Sequence, residues 1–487
     1  MLNHLFHLSP DSDSSLQQQI REQISKAIIE GHIPVDIPLP STRKLAEILS
    51  VSRNTVILAY EHLIDDGYLI SRERAGFYVN EEMLKSSVRD EVDIEIPQGT
   101  SPDWQHSLKL RPSKDKLNKL ARWQDYPYPF IYGQLDPKMF PTNHWRECSR
   151  ESVSVGAIRD WSGDRYDDDD ALLIEQIHTR ILPRRGVWAD PEEILITVGA
   201  QHALYMTLRL LLDSKSTFGL EDPGYPDLTR IASCTGAQIR PLDVDSEGLV
   251  INEQLDDCDL IFTTPSHQFP TTVTLPMERR LALLEQASNK NFLIIEDDYE
   301  CETTFAANPT PALKSLDRNG RVIYLGSLSK TLSPGLRLGY MVGPKELIRE
   351  VREYRRMMMR HPPMNNQRAV GLFLARGYHD SLIRSLVQVY EERWKEVGDA
   401  LQECLPESAK PPVFGGSSYW VKGPEGLDAR ELKRLALEKG VVLESGDIYF
   451  YRPAPLNFFR LGYSSIATER IRPGIERVAE IIHKLTG

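Results

Sequence analysis

The chain has 487 residues, 41% hydrophobic and 26% charged, with a formal net charge of −12, so two or three soluble domains with a large core are expected. Five scattered cysteines (Cys148, Cys234, Cys258, Cys301, Cys404) without a C-x-x-C pair argue against a disulfide framework and against a structural zinc site. No stretch approaches the roughly 20 apolar residues that cross a bilayer, no secretory signal is visible, and the expected compartment is the cytoplasm.

In chain order, Leu16, Ile20, Ile24 and Ile28 recur every fourth residue and predict a first helix with one apolar stripe. Gly31 and the proline-bounded residues 34–40 interrupt it, and Ser41 is a predicted N-cap for a short helix carrying Leu45, Ala46 and Leu49. After the turn Ser50-Val51-Ser52, a third helix turns Val56, Ala59, Tyr60 and Leu63 inward and closes at Gly67. Tyr68-Leu69-Ile70 and Phe77-Tyr78-Val79, with Gly76 between them, predict a hairpin wing. A helix that reads the major groove needs donors in its first turn, and Ser52, Arg53, Asn54 and Thr55 supply them. Arg53 suits a bidentate contact to guanine, the hydroxyls suit phosphates or base edges, and Arg43 can reach the backbone or a neighbouring base. Residues 1–80 hold seven Lys/Arg against ten Asp/Glu. That balance weighs mildly against tight non-specific binding, but the placement of a few cations decides whether a head reads DNA.

Residues 81–125 lose periodicity and predict a linker, in which residues 88–96 alternate as an edge strand would and residues 117–123 suit a helix or a docked segment. From residue 126 to 487 apolar strands alternate with helical stretches, which predicts an α/β body with a largely parallel sheet covered on both faces. The chemically telling residues stand just past strand ends, where open α/β sheets place ligands. One strand runs into Glu296-Asp297-Asp298-Tyr299. Another runs into Ser327-Leu328-Ser329-Lys330, with Arg337 seven residues on. An amine, hydroxyls and a guanidinium in that order can hold an aldehyde and its phosphate, and a carboxylate such as Asp297 can keep a pyridine nitrogen protonated.

The segment Leu39-Pro40-Ser41-Thr42-Arg43-Lys44-Leu45-Ala46, followed by Val51-Ser52-Arg53-Asn54-Thr55-Val56 and Ala59-Tyr60, resembles the GntR family of winged helix-turn-helix repressors over residues 14–80. The body resembles the fold-type I aminotransferases, and the whole chain resembles the MocR subfamily of regulators. The resemblance implies double-stranded operator DNA as a partner, pyridoxal 5'-phosphate as cofactor, and no metal. It implies a Schiff base on Lys330, Asp297 at the ring nitrogen, Tyr299 at the phenolate oxygen and Tyr225 stacked on the ring. Gly199, Ala200 and Gln201 would offer backbone amides to the phosphate, with Ser327, Ser329 and Arg337 completing the cup. Tyr166 resembles a tyrosine that reaches the neighbouring subunit's phosphate, which implies a homodimer, although four aspartates (Asp167 to Asp170) replace the usual glycine-bearing turn. Arg460 stands where such proteins keep an arginine for a substrate carboxylate; a surface ion pair is the alternative reading.

One segment departs from the enzymes. Thr264-Pro265-Ser266-His267-Gln268-Phe269-Pro270-Thr271-Thr272 takes the place of their Asn-Pro-Thr-Gly segment, with Phe269 for the asparagine and Thr272 for the glycine. The expected function is therefore a regulator that responds to an amino acid or related amine by external aldimine formation. A working aminotransferase with a DNA-tethering head and a sensor of the cofactor itself are the alternatives.

Overall fold

Three serines set the helices of the head. Ser15 accepts from the amide of Gln18 and starts α1 (Leu16–Ile29), Ser41 accepts from Lys44 and starts α2 (Thr42–Leu49), and Ser52 accepts from Thr55 and starts α3 (Arg53–Asp65). The expected stripe of α1 is buried at Ile20, Ile24 and Ile28, but Leu16 is 37% exposed because it precedes the contact with the other helices. Val56, Ala59, Tyr60 and Leu63 of α3 are buried as their spacing requires. Tyr60 does more than fill space. Its hydroxyl donates to the carbonyl of Pro40 at 2.9 Å and its ring meets Phe77 edge-on at 4.9 Å, tying α3 to the turn before α2 and to the wing. The wing pairs β1 (Leu69–Arg72) antiparallel with β2 (Gly76–Val79). Each fully buried aliphatic side chain here contributes roughly 1.5–3 kcal/mol.

The computed structural model describes residues 8–9, 14–73, 75–85, 101–108, 120, 122–133, 135–164, 167–303, 310–328, 330–406 and 415–486. The chain divides into one unit at Met1–Leu110 and another at Arg111–Gly487. The strand expected at residues 88–96 lies outside the described residues, and the helix expected near residues 117–123 does so for most of its length. Trp123 is buried and opens a short turn of the second unit, which thus takes in residues just before the expected start at 126.

The second unit is built on an eight-stranded sheet: β3 (Ile194–Thr197), β4 (Thr217–Asp222), β5 (Gln238–Asp245), β6 (Gly248–Leu249), β7 (Leu260–Thr263), β8 (Leu293–Asp297), β9 (Val322–Ser327) and β10 (Gly339–Val342). Their order across the sheet is β3-β10-β9-β8-β7-β4-β5-β6. The pairs β9–β8, β8–β7, β7–β4 and β4–β5 are parallel, whereas β10 runs antiparallel to both neighbours. Because β3 and β9 each oppose β10, the C-terminal ends of β3, β4, β7, β8 and β9 all reach one edge. Both faces are covered: Ile196, Tyr324 and Tyr340 enter one core, and Leu195, Leu220, Phe262 and Leu325 enter another.

A smaller three-stranded sheet follows, formed by β11 (Ser418–Lys422), β12 (Glu444–Ser445) and β13 (Phe458–Gly462), with β13 in the middle. No helix among the described residues is long and apolar enough to cross a membrane.

The cap of α3 can be tested directly. Ser52→Ala should cost about 0.5–2 kcal/mol, so amide exchange over residues 53–65 should quicken by about two- to thirtyfold, while Ser52→Gly changes it little. Equal exchange in all three proteins would mean that the cap does not hold the start of this helix.

Candidate functional site

In the head, Arg53 and Asn54 are exposed on the first turn of α3. Ser52 and Thr55 are already engaged, since their hydroxyls bond each other at 2.8 Å while Ser52 Oγ caps the Thr55 amide. The expected donors thus divide into two that face solvent and two that first serve the helix. Arg43 is also exposed, and its Nε donates to Glu47 at 3.2 Å. Gly76 holds φ +105° where the wing turns back, a conformation that side chains rarely adopt.

In the second unit, the shared edge of the sheet opens on a cavity of about 360 Å³ lined by Gly199, Ala200, Gln201, Tyr225, Asp297, Tyr299, Ser327, Lys330 and Arg337, among others. The edge thereby gathers nine of the expected residues. Ser329 and Tyr166 lie outside the described residues.

Each is placed by a local cause. Asp297 is the last residue of β8 and Ser327 the last of β9; the strands are parallel neighbours with Asp297 opposite Leu325, so both ends reach the same edge. Gly199, at φ +77°, precedes helix α4 (Ala200–Leu211), whose first amides have no partner within the helix. A Cβ on residue 199 would stand 2.8 Å from Nη2 of Arg337, and that nitrogen donates to the carbonyl of Val198 at 3.1 Å. Glycine, guanidinium and helix start therefore form one cup suited to an anion. Tyr225 lines the cavity with its hydroxyl donating to Asp227 at 3.1 Å.

Asp297 has a buried Oδ1 without a hydrogen-bond partner. Burial raises its pKa to about 7, against the pull of Lys330 and with help from Asp298, Glu296 and Glu221. Next to it, Asp298 behaves in the opposite way. Burial pushes it up, but Arg185 at 2.7 Å, with Ser266 and Tyr324, outweighs burial and holds it below the ordinary carboxylate range. This ion pair anchors the chain between Asp297 and Tyr299. The Nζ of Lys330 stands 4.4 Å above the ring of Tyr132 and 6.0 Å from that of Tyr299.

Arg460 is not on the surface and does not follow a strand. It lies inside β13 with no exposure, and its Cζ is 3.5 Å from the centroid of Tyr132 and 4.4 Å from that of Phe269. The surface ion pair is thereby corrected: Arg460 makes no salt bridge among the described residues. Its Nε donates to Ser418 at 3.0 Å, and Nη1 and Nη2 are buried without a hydrogen bond of good geometry, although the Tyr132 and Tyr449 hydroxyls lie close enough to feel its charge. Tyr132, Phe269 and Tyr449 line the cavity and Arg460 lies against their rings, so its charge stands directly behind the cavity wall.

Phe269 sits at the centre of the wall, edge-on to Tyr132, Tyr225, Tyr299 and Tyr449 at 5.4–5.9 Å. Its loop is moulded by Glu221, which accepts from Thr263 Oγ1, Thr264 Oγ1 and Gln268 Nε2 at 2.6, 2.7 and 3.1 Å. Thr272 has a left-handed backbone at φ +65°, a conformation that favours glycine. Sequence reasoning missed Tyr132, Gly133, Glu444 and Tyr449, which also line the cavity. Tyr132 and Gly133 follow the buried run Phe130-Ile131, and Tyr449 donates to Glu444 at 2.6 Å. None carries a motif; they enter because the smaller sheet folds over the edge of the larger one.

Comparison with known proteins agrees with both halves. Residues 16–79 match the bacterial regulatory proteins of the gntR family, and residues 169–478 match aminotransferase class I and II. The HTH-type transcriptional regulator TauR of Rhodobacter capsulatus is 40% identical over 480 residues, covering 98% of each chain. The probable rhizopine catabolism regulatory protein MocR of Rhizobium meliloti is 30% identical over 470 residues, covering 96% of this chain and 94% of its own. Among solved structures, the kynurenine aminotransferase of Pyrococcus horikoshii, in complex with PMP, is 28% identical with a TM-score of 0.69, over 79% of this chain and 97% of that one.

The unanswered carboxylate gives a pH test on the cofactor-free protein. Folded Asp297 keeps its proton up to about pH 7, whereas the unfolded chain releases it near 4, so stability falls as pH rises between those values. Asp297→Asn should remove that loss. Urea unfolding should show the variant more stable than its parent at pH 8, by at most about 4 kcal/mol, and equal to it below pH 4. An identical pH profile for the two proteins would contradict the assigned shift.

Proposed function

This chain belongs to the GntR/MocR type of transcriptional regulators, a DNA-binding head followed by an aminotransferase-like body, and on that premise we propose that the body holds pyridoxal phosphate and senses a small amino compound. The observation that carries the proposal is the meeting in one cavity of Lys330, an incompletely bonded Asp297 and the Gly199–Arg337 cup, with Arg460 and its two incompletely bonded nitrogens buried behind the Tyr132 and Phe269 rings that line it. The residues present fit the cofactor. Asp297 would hold a proton on the ring nitrogen, an arrangement that relieves the burial of its own charge. Tyr299 would donate to the phenolate oxygen. Ser327, Ser329, Arg337 and the amides of Gly199, Ala200 and Gln201 would hold the phosphate, and Tyr225 would lie against the ring. When bound, the cofactor supplies an electrophilic carbon to Lys330 and an electron-withdrawing ring. The PMP held by the Pyrococcus aminotransferase in a related fold supports the same group here.

An incoming amine would meet Lys330 with its acidic end on Arg460, a fork suited to a carboxylate. Phe269 offers neither donor nor acceptor at the place where the enzymes present an amide, which supports sensing above turnover. Differential affinity of the amine for two states of the body would then alter the heads' grip on an operator. We extend the reading to a homodimer, which would present two heads to two half-sites; exposed Met357 and Met358 (76% and 46%) are apolar surface that such an assembly would cover.

The test is chemical. The purified protein loaded with pyridoxal phosphate should be yellow, and borohydride should fix the cofactor on Lys330; mapping the adduct to another lysine would overturn the assignment. Lys330→Ala should bind DNA but lose the response to amines. Amino acids should shift the absorption spectrum saturably, and Arg460→Ala should weaken that shift more than it weakens cofactor binding. Sustained conversion of an oxo acid at about 1 s⁻¹ or faster would instead make the body an enzyme. In the head, Arg53→Ala should cost specific operator binding about 1–3 kcal/mol and non-specific binding less. Equal losses would reduce Arg53 to a phosphate contact.

A further inference from the structure

Behind Lys330 lies a second, very small cavity of about 10 Å³, whose lining includes Glu300, Thr331 and Ser417. That is about the space of one water molecule or one ammonium head. Lys330 and Gly133 line both cavities, so the lysine stands in the wall between them. Glu300 closes the far side. Its side chain is 5% exposed, and Oε1 accepts from the hydroxyl of Ser417. Its Oε2 is buried without a hydrogen-bond partner.

A buried carboxylate oxygen left open is costly unless a cation or donor reaches it. The charged groups around it do not answer it. His267 Nε2 is 3.7 Å from Oε2, beyond hydrogen-bond distance, and burial depresses the pKa of that ring against the pull of Glu300 itself. Arg460 is directed at Tyr132 and Phe269. The hydroxyls of Tyr132 and Tyr299 are raised first by burial and next by the nearness of Glu300. Glu300 Oε2 and Lys330 thus face one small buried cavity, on the side of the lysine away from Asp297's cavity.

We infer that Glu300 is the receiving site for the Lys330 ammonium once an effector amine has displaced it. The inference rests on the reading of Lys330 as the cofactor's point of attachment. The exchange balances in atoms and charge. The effector's ammonium brings three N–H bonds and the protonated carbon–nitrogen double bond to Lys330 brings one. Afterwards the effector nitrogen holds the double bond to the same carbon with one N–H, and Lys330 carries three. The carbon–Nζ bond breaks, the carbon–effector nitrogen bond forms, and no oxidant or reductant takes part. The ammonium released at Nζ then needs a partner out of water, and Glu300 supplies one on the side away from the ligand. A lysine held there is withdrawn from the ligand's carbon, so the same contact favours the amine-bound state and discourages further proton transfer. Glu300 is in this sense a positioning residue for Lys330.

Two measurements test this on the full-length protein. In the first, wild type and Glu300→Gln are loaded with pyridoxal phosphate, titrated with methylamine, quenched with borohydride, and assayed for cofactor covalently bound at Lys330. The half-displacing methylamine concentration should rise about tenfold in the variant, the scale of one lost charge-assisted hydrogen bond, with the covalent yield in the absence of amine preserved. An unchanged midpoint overturns the inference. Failure to trap any cofactor on wild-type Lys330 overturns the underlying reading instead. In the second, which does not depend on the variant folding, wild type is crystallised with pyridoxamine 5'-phosphate, which cannot bond to the lysine. Nζ should lie within about 3.2 Å of a Glu300 carboxylate oxygen. An Nζ still turned toward Tyr132 and Asp297, with Glu300 bonded elsewhere, overturns the inference.

Discussion

Glu221, Glu296, Asp297 and Asp298 are buried together at the C-terminal edge of the large sheet, and a charge taken out of water has to be answered. Glu221 is answered by Thr263, Thr264 and Gln268, and Glu296 by the amides of Leu313 and Lys314 at 2.7 Å each. Asp298 is answered by Arg185 and Tyr324. The three satisfied acids fix, respectively, the loop carrying Phe269, the helix start at Leu313 and the strand end before Tyr299. What remains is Asp297, held rigidly among them with an oxygen left open. Among these four, the acid left open is the one that faces the cavity, which is where a ligand's proton is of most use.

Arg460 expresses the same logic with the opposite sign. Its guanidinium is buried without an acidic partner and is kept there by ring faces, a weaker answer than a carboxylate gives. A carboxylate on the cavity wall and a guanidinium just behind that wall, each incompletely satisfied, suit something with complementary charges. Both groups sit on elements of regular structure, one at the end of β8 and the other inside β13, so their separation does not depend on loop placement.

Much of this was legible in the chain itself, for reasons that particular residues make plain. The head could be read because its signals are local: Ser15, Ser41 and Ser52 cap within three residues, and the buried positions of α3 repeat at helical spacing. Asp297 and Ser327 could be placed because a parallel sheet puts every strand's end at the same edge. Tyr132, Glu444 and Tyr449 could not, since their part in the cavity depends on how the smaller sheet meets the larger, a long-range fact with no local periodicity. Arg460 was legible as a residue type, but the sequence left open whether it is on the surface, and the structure buries it. Its strand is short and central in a three-stranded sheet, and a lone arginine in sequence looks the same whether water or tyrosine surrounds it.

The closeness of Arg337 to Gly199 has a consequence for how this protein can change over time. The guanidinium lies in the volume that any larger residue at 199 would need, at a backbone angle that already disfavours a side chain. An alanine at 199 therefore evicts the arginine from the carbonyl of Val198, and the loss counts twice only if each position is altered alone. Once one has gone, replacing the other removes little that is still present, so the two losses cannot be added. The two residues are distant in sequence, yet mutation and selection meet them as a single heritable unit.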